Sequence, residues 1–344
     1  MDSYLTKKEE KILKSIFIGS HNNPSRPEFP PDNPRFPATP TKRIEVPGFK
    51  KVFVKDESVN PTGTHKDRMA WEIVCQYRNF LIAKKTGLVA GPLPRFSIIS
   101  SGNAAISLAY FLKKFNLPKP KILIDDDTPS KIRNYLEKQY CEIYVTDLSR
   151  KALTSQEILN LTNNPNGFDI TSNEALDPNL IFYDWMSFEI INESPDYILV
   201  PFGTGSLYAN ICNTIKEELS KVSEHDPRLK VDINKLRNCH IIGATVNLAT
   251  SKAYMLYSPH LPFTQFNEQW INFSREFGYI GKLSNVYLVT EDAIQKAFEL
   301  LNSQGINCEH SGAVGLAFLL EHKYKFPREK KILIINTGKG KWAD

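Results

Sequence analysis

No pair of cysteines in this chain has CxxC spacing; Cys75, Cys141, Cys212, Cys239 and Cys308 stand far apart in otherwise apolar segments. That spacing argues against a zinc ribbon or a dithiol redox motif and points to buried free thiols in a reducing compartment. An uninterrupted apolar stretch of roughly 18 residues is also missing. The opening MDSYLTKKEEKILKSIF carries acidic residues and no apolar core, so neither membrane spanning nor secretion is expected and the chain reads as cytoplasmic. Charge of one sign is barely in excess: 43 basic against 38 acidic residues give +5, with no polybasic run and no aromatic-basic alternation. Nucleic acid is therefore not the expected partner, and a small anionic ligand suits the excess better. The sequence GxxxxGK[ST] is absent, as are the third glycine and downstream acid of a dinucleotide fingerprint, which sets ATP and NAD aside. No His/Cys/Asp cluster has metal-ligand spacing, so no metal site is expected.

With 344 residues and 41% apolar content, the chain can bury a full core and divide into two lobes. A proline-dense run, NNPSRPEFPPDNPRFPATPTKR, cannot form regular helix or central strand and reads as an extended arm. After it, short apolar runs alternate with amphipathic ones. FSIIS (96–100) precedes AAISLAYFLKKF, KILID (121–125) precedes PSKIRNYLEKQY, EIYVTD (142–147) precedes SQEILNLT, and DYILVPF (196–202) precedes LYANICNTIKEEL. CHIIGATV, EDAIQKAFELLNSQG and KILIINTG continue the pattern. Strands apolar on both faces and alternating with helices predict an α/β fold of mostly parallel sheets flanked by helices.

Ligands of such sheets sit at the carboxyl ends of the strands. Three strand ends carry small, polar, glycine-containing turns: Ser100-Ser101-Gly102-Asn103, Gly203-Thr204-Gly205-Ser206-Leu207 and Thr337-Gly338-Lys339-Gly340. The GTGS turn lets successive N–H groups converge at the start of a helix, which suits a phosphate. Between VFVKDE and a helical stretch lies Asn60-Pro61-Thr62-Gly63-Thr64-His65-Lys66. One reading is an ordinary strand-to-helix loop in which Thr64 caps the helix. The other places Lys66 to make a bond. A positioned lysine, a phosphate cup and polar strand ends together suit pyridoxal phosphate, whose aldehyde condenses with an amine.

These segments resemble those of the fold type II, tryptophan-synthase-β-like pyridoxal-phosphate enzymes. NPTGTHKDR is similar to their NPTGSFKDR, SSGNAA to their asparagine loop, GTGS to their phosphate loop, EHSGA (309–313) to EPSGA, and TGKG to the TGHG of threonine synthases. The likeness runs from about Pro40 to Asp344 with all five segments in family order. It implies that Lys66 bonds the cofactor aldehyde and, once released, shuttles the α-proton of a small amino-acid substrate. It implies that Asn103 meets the ring hydroxyl, and that Ser100, Ser101, Gly102 and Asn103 receive the substrate carboxylate. Gly203, Thr204, Gly205, Ser206 and Leu207 are implied to hold the phosphate, and Thr337 to face the pyridine nitrogen. His65, where many relatives carry phenylalanine, is implied to touch the phosphate or pack on the ring. Glu309 is either near the ring or substrate, or only a helix-start acid stabilised by the macrodipole.

The resemblance further implies a large cofactor-binding domain (1–79 and 173–344), a small mobile domain (80–172) and a homodimer. VKDE, NPTG, KDR and TGKG are closest to threonine synthases, which implies lyase chemistry of elimination and replacement. Two departures keep serine or threonine deamination, β-replacement on serine or O-phosphoserine, and a catalytically silent cofactor-binding protein open. Leu180 stands where threonine synthases carry a phosphate-binding arginine, and GTGSL differs from their GNAGN.

Overall fold

Branched and aromatic side chains keep their preferred rotamers on a covered, pleated surface, so short apolar runs bounded by turn residues become strands. The computed structural model describes residues 36–85, 87–88, 90–171, 181–257 and 286–341. In chain order its elements are β1 (Thr41–Ile44), β2 (Val52–Asp56), α1 (Lys66–Lys85), β3 (Phe96–Ile99), α2 (Asn103–Lys114), β4 (Lys121–Asp125), α3 (Ser130–Glu137), β5 (Glu142–Thr146), α4 (Ser155–Leu161) and β6 (Phe168–Asp169). There follow α5 (Asp184–Asn192), β7 (Tyr197–Pro201), α6 (Ser206–Ser220), α7 (Ile233–Arg237), β8 (His240–Thr245), β9 (Val286–Leu288), α8 (Glu291–Ser303), α9 (His310–Glu321) and β10 (Ile332–Asn336). The β-then-α alternation expected from the sequence is present from β2 to α6.

The chain divides into two compact units: Met1–Pro37 with Lys66–Asp177, and Ala38–His65 with Pro178–Asp344. The segment 80–172 falls inside the first. Its sheet runs β5-β4-β3-β6 with parallel pairs. Helix α1 buries Trp71 against Phe36, Phe111 and Phe115, and the buried Arg68 lies 5.3 Å from the Phe36 ring. Such edge-to-face and cation–π contacts orient a helix as well as bury it.

The second unit's sheet runs β1-β2-β10-β7-β8-β9. Every pair is parallel except β1–β2, where Thr41 faces Lys55 and Ile44 faces Val52. Thr41–Arg43 thus end the proline-dense run as an edge strand. Pro37 and Pro40 precede it, where a missing N–H costs no ladder bond; the rest of that run, up to residue 35, lies outside the described residues. Helix α9 and strands β7, β8 and β10 contribute Leu316, Phe318, Leu199, Ile242 and Ile334 to one apolar core. All five cysteines are free thiols, four buried and Cys141 half-buried. No helix among the described residues is long and apolar enough to cross a membrane.

Candidate active site

The turn that leads to Lys66 is built by buried hydrogen bonds. Asp56 ends β2 and caps a short 3-10 turn, its Oδ1 accepting from Ser58 N at 3.1 Å and Ser58 Oγ at 2.6 Å. The buried Glu57 carboxylate accepts from Thr39 Oγ1 at 2.6 Å and Asn60 Nδ2 at 2.8 Å. Asn60 Nδ2 also donates to Thr64 O at 3.1 Å, and Asn60 O accepts from Gly63 N at 2.9 Å. A carboxylate shielded from water and met by two donors holds the Asn-Pro-Thr-Gly loop in one shape.

That loop is locked to the turn after β10. Gly63 and Gly338 both adopt left-handed backbone, at φ +90° and +96°. They approach so closely that a Cβ on Gly338 would lie 2.1 Å from Gly63 O, and one on Gly63 would lie 2.2 Å from Lys339 O. Lys339 N donates to Gly63 O at 2.9 Å, His65 N to Thr337 O at 3.1 Å, and Lys341 N to Thr62 O at 3.2 Å. Behind the turn, Asn336 Oδ1 accepts from Gly338 N at 2.9 Å while its Nδ2 donates to Asp56 Oδ1 at 3.0 Å and Asn307 O at 2.9 Å. His65 and Thr337 are thereby brought together, and Lys66 follows His65 as the first residue of α1. The His65 ring lies 5.5 Å from the ring of Tyr183, a neighbour that nothing in the local sequence announced.

Thr64 does not cap the helix, contrary to the simpler sequence reading. Its backbone is committed to a bridge with Gly338, and its hydroxyl is buried without a hydrogen-bond partner.

The glycine turn after β7 leads directly into a helix. Gly205, at φ +84°, precedes the 15-residue α6, whose start has no side-chain capping bond and no acidic residue in the first turn. The first N–H groups of that helix and its positive dipole end are left to whatever occupies the turn. Thr204 Oγ1 and Ser206 Oγ lie 3.0 Å apart beside it.

In the first unit, Gly102 N donates to Ser100 Oγ at 3.2 Å, closing the turn ahead of α2, and Asn103 is that helix's first residue. Ser100, Ser101, Gly102 and Asn103 are all half-buried. Lys66 and Asn103 each open a helix, and the two helices are tied by Ser107 Oγ donating to the buried Asp67 Oδ1 at 2.5 Å. The expected residues thus fall into two sets. Lys66 and Ser100–Asn103 belong to the first unit; His65, Gly203–Leu207, Glu309 and Thr337 belong to the second.

Glu309 precedes α9 but makes no side-chain capping bond. Its N donates to Gly338 O at 3.4 Å, which sets it beside the terminal turn. Burial pushes its carboxyl up to about 7, against the opposing pull of Gly340 N–H and Lys339. The folded protein therefore keeps a proton that the unfolded chain releases near 4.5. The stability from this group is full below the unfolded value and is lost as pH rises through about 7. Glu309→Gln, which stays neutral, should gain on the wild type by about 2 kcal/mol between about pH 5 and about pH 8. Melting curves of both proteins across that range check it; a constant difference in melting temperature removes the buried, protonated carboxyl.

A family model described as pyridoxal-phosphate dependent enzyme matches residues 35–338. The chain belongs to this family. Solved structures with a similar fold include O-ureido-L-serine synthase, 19% identical over 89% of this chain and 90% of that one, with a TM-score of 0.62. O-acetylserine dependent cystathionine beta-synthase from Helicobacter pylori is 15% identical over 88% and 93%, at a TM-score of 0.60. Threonine deaminase isoform 2 from Solanum lycopersicum is 20% identical over 83% and 78%, at 0.55. At these identities the likeness establishes the fold, type II of the pyridoxal-phosphate enzymes. No curated protein sequence matches the chain.

The cofactor of the family is pyridoxal phosphate, and the residues present fit it. An uncapped helix start behind a left-handed glycine suits its phosphate, and an amine two residues beyond an unpaired buried hydroxyl suits its aldehyde end. Sequence reasoning missed the parts that fix these groups in place: Asp56, Glu57 and Asn60 on one side, Asn336 and Tyr183 on the other. The strand-end position of Asp56 and Asn336 was the available signal. Asp125, Asp126 and Asp147 also converge, with ligand atoms within 4.8 Å, because β4 and β5 are neighbours; their sequence spacing does not show it.

Proposed function

We propose that this enzyme carries out elimination or replacement on a small amino acid in the manner of threonine synthases, with Lys66 as its catalytic lysine. The observation that carries the reading is the lock of Gly63 against Gly338 with His65 N on Thr337 O at 3.1 Å. It makes the approach to Lys66 and the terminal turn one rigid piece, as a lysine and a ring-facing hydroxyl serving one cofactor require. Bound pyridoxal phosphate supplies an electron sink for charge developing at the substrate α-carbon. The Lys66 amine takes and returns the α-proton. Backbone N–H groups from Gly203 to Leu207 hold the phosphate, with His65 beside it or against the ring. Asn103 donates to the ring hydroxyl, while Ser100, Ser101 and Gly102 orient the substrate carboxylate. Thr337 offers the pyridine nitrogen a neutral hydroxyl, which favours elimination and replacement over transamination. Glu309, whose carboxyl is raised to about 7, sits beside that turn with less than a full negative charge at neutral pH. Closure of a mobile small domain (80–172) on the remainder, dimerisation and a cytoplasmic location belong to the same proposal.

Deamination of serine or threonine, or β-replacement on serine or O-phosphoserine, is the second reading. Leu180, outside the described residues, offers no arginine for a second phosphate, and the GTGSL loop differs from the GNAGN of threonine synthases; both favour it. A spectroscopic screen of holoprotein with O-phosphohomoserine, serine, threonine and O-phosphoserine separates the two. The first reading expects a changed cofactor spectrum and turnover with the phosphorylated four-carbon substrate. Release of a 2-oxo acid and ammonia from unphosphorylated serine or threonine would replace it with the second. Full cofactor occupancy with an unchanged spectrum across the panel would indicate a silent cofactor-binding protein.

A further inference from the structure

A buried hydroxyl with no partner has given up its bonds to water and gained none in return, a cost that a polar atom of a bound molecule can offset. Thr64 Oγ1 is such a group: the residue is 1% exposed and its hydroxyl has no hydrogen bond among the described residues. Its surroundings are otherwise well paired. Thr39 Oγ1 and Ser58 Oγ both have carboxylate acceptors, Asn60 Nδ2 has two acceptors, and Thr64 O itself is taken by Asn60. Nor can the hydroxyl turn to a new partner by moving its main chain. Thr64 is bridged to Gly338, between Gly63, whose O accepts from Lys339 N, and His65, whose N donates to Thr337 O. The unpaired oxygen is thus held in place two residues before Lys66, the Cα atoms of the two residues being at most about 7 Å apart.

What could complete it follows from chemistry. A hydroxyl whose acceptor and donor capacity are both unused pairs best with a charged partner, and a hydrogen bond to an anionic oxygen is about twice as strong as a neutral one. Pyridoxal phosphate bound at Lys66 brings such oxygens, on its phosphate and on its ring. We propose that Thr64 Oγ1 donates a hydrogen bond to an anionic oxygen of the cofactor, so that the residue is a cofactor-binding group. This rests on the reading that the cofactor is bonded to Lys66.

The idea makes opposite demands on the two states of the protein, which gives it a test independent of turnover. Thr64→Val keeps the branched shape and removes the hydroxyl; Thr64→Ala removes it with less bulk, and Thr64→Ser retains it. Cofactor-free protein is prepared for each, its melting temperature is measured, and pyridoxal phosphate is titrated by absorbance. Thr64→Val should leave the melting temperature of the cofactor-free protein unchanged or raise it, because an unpaired polar group has been removed. Its dissociation constant for pyridoxal phosphate should rise about tenfold, while that of Thr64→Ser stays within about twofold. If Thr64→Val does not fold, Thr64→Ala against Thr64→Ser gives the same comparison of affinities. Titration with pyridoxal, which has no phosphate, assigns the oxygen: a retained difference between variants places the bond on the ring, and a lost difference places it on the phosphate. Equal pyridoxal phosphate affinity with and without the hydroxyl overturns the proposal. So does a melting temperature of the cofactor-free protein that falls as far as that of the loaded one, which would mean the hydroxyl holds the fold through a structural water. These outcomes leave the functional reading standing, whereas a wild-type chain that takes up no cofactor and gives no borohydride-fixed adduct at Lys66 overturns both.

Discussion

Replacing Lys66 by alanine is expected to remove the absorbance of a lysine-linked cofactor and to lower turnover roughly a thousandfold or more, with little change in stability. The two effects separate because of where the residue sits. Lys66 is half-buried and opens α1, whereas the packing of that helix is carried by Trp71, Ile73, Val74 and Tyr77 further along. Alanine is the best helix former, so the helix start loses nothing from the exchange. The bonds that shape the preceding turn come from Glu57, Asn60 and Gly63. Borohydride reduction of the wild type followed by peptide mapping should find the adduct at position 66. Lys66→Arg, which keeps a cation but cannot condense with an aldehyde, should behave as alanine does. Yellow protein with near-normal turnover from Lys66→Ala would remove the lysine from the chemistry.

Gly338→Ala should be the most damaging single methyl that can be added to the second unit's turn. The new Cβ would meet Gly63 O at 2.1 Å and Thr64 Cα at 3.0 Å, on a backbone at φ +96°. Backbone atoms on both sides cannot swing away as a side chain could, so the strands must part. We expect a loss of about 3–5 kcal/mol, seen as a melting temperature lower by roughly 10 °C, together with weakened cofactor binding. Gly48 supplies the control, because it shares the left-handed backbone at φ +92° but has nothing within 4 Å of its Cβ position. Gly48→Ala should cost only the conformational penalty of about 1 kcal/mol. Equal losses at the two positions would mean that the close approach of the two turns is not what holds the lysine loop.

Much of this protein can be read from its sequence because the informative signals are local. FSIIS, KILID and DYILVPF are short apolar runs closed by turn residues, and each became a strand within a residue of its expected limits. The GTGS turn was legible for the same reason: a left-handed Gly205 and an uncapped helix start depend on neighbours in the chain. What could not be read depends on partners far away along it. Asn336 Nδ2 reaches Asp56 across 280 positions, and Gly63, beyond its left-handed backbone, needs to be glycine because Lys339 O lies where its Cβ would go. Glu309 has the sequence of an ordinary helix-start acid; only burial beside the terminal turn lifts its carboxyl to about 7. Thr64 has the sequence of a helix cap, but a bridge to Gly338 commits its backbone elsewhere. The edge strand β1 was hidden by the prolines around it, whose restrictions do not apply where a strand pairs on one side only.

The position of β10 between β2 and β7 sets an order of events on the ribosome. Residues 66–171 form their own parallel sheet and have all its strands as soon as that stretch has emerged. Val52–Asp56 must wait for Ile332–Asn336, its parallel neighbour, until most of the chain has been translated. During that interval β2 presents an unpaired apolar edge, the kind of surface to which chaperones and misassembly both gain access. Newly made protein should therefore owe its yield less to the strength of its finished core than to how well that waiting strand is shielded.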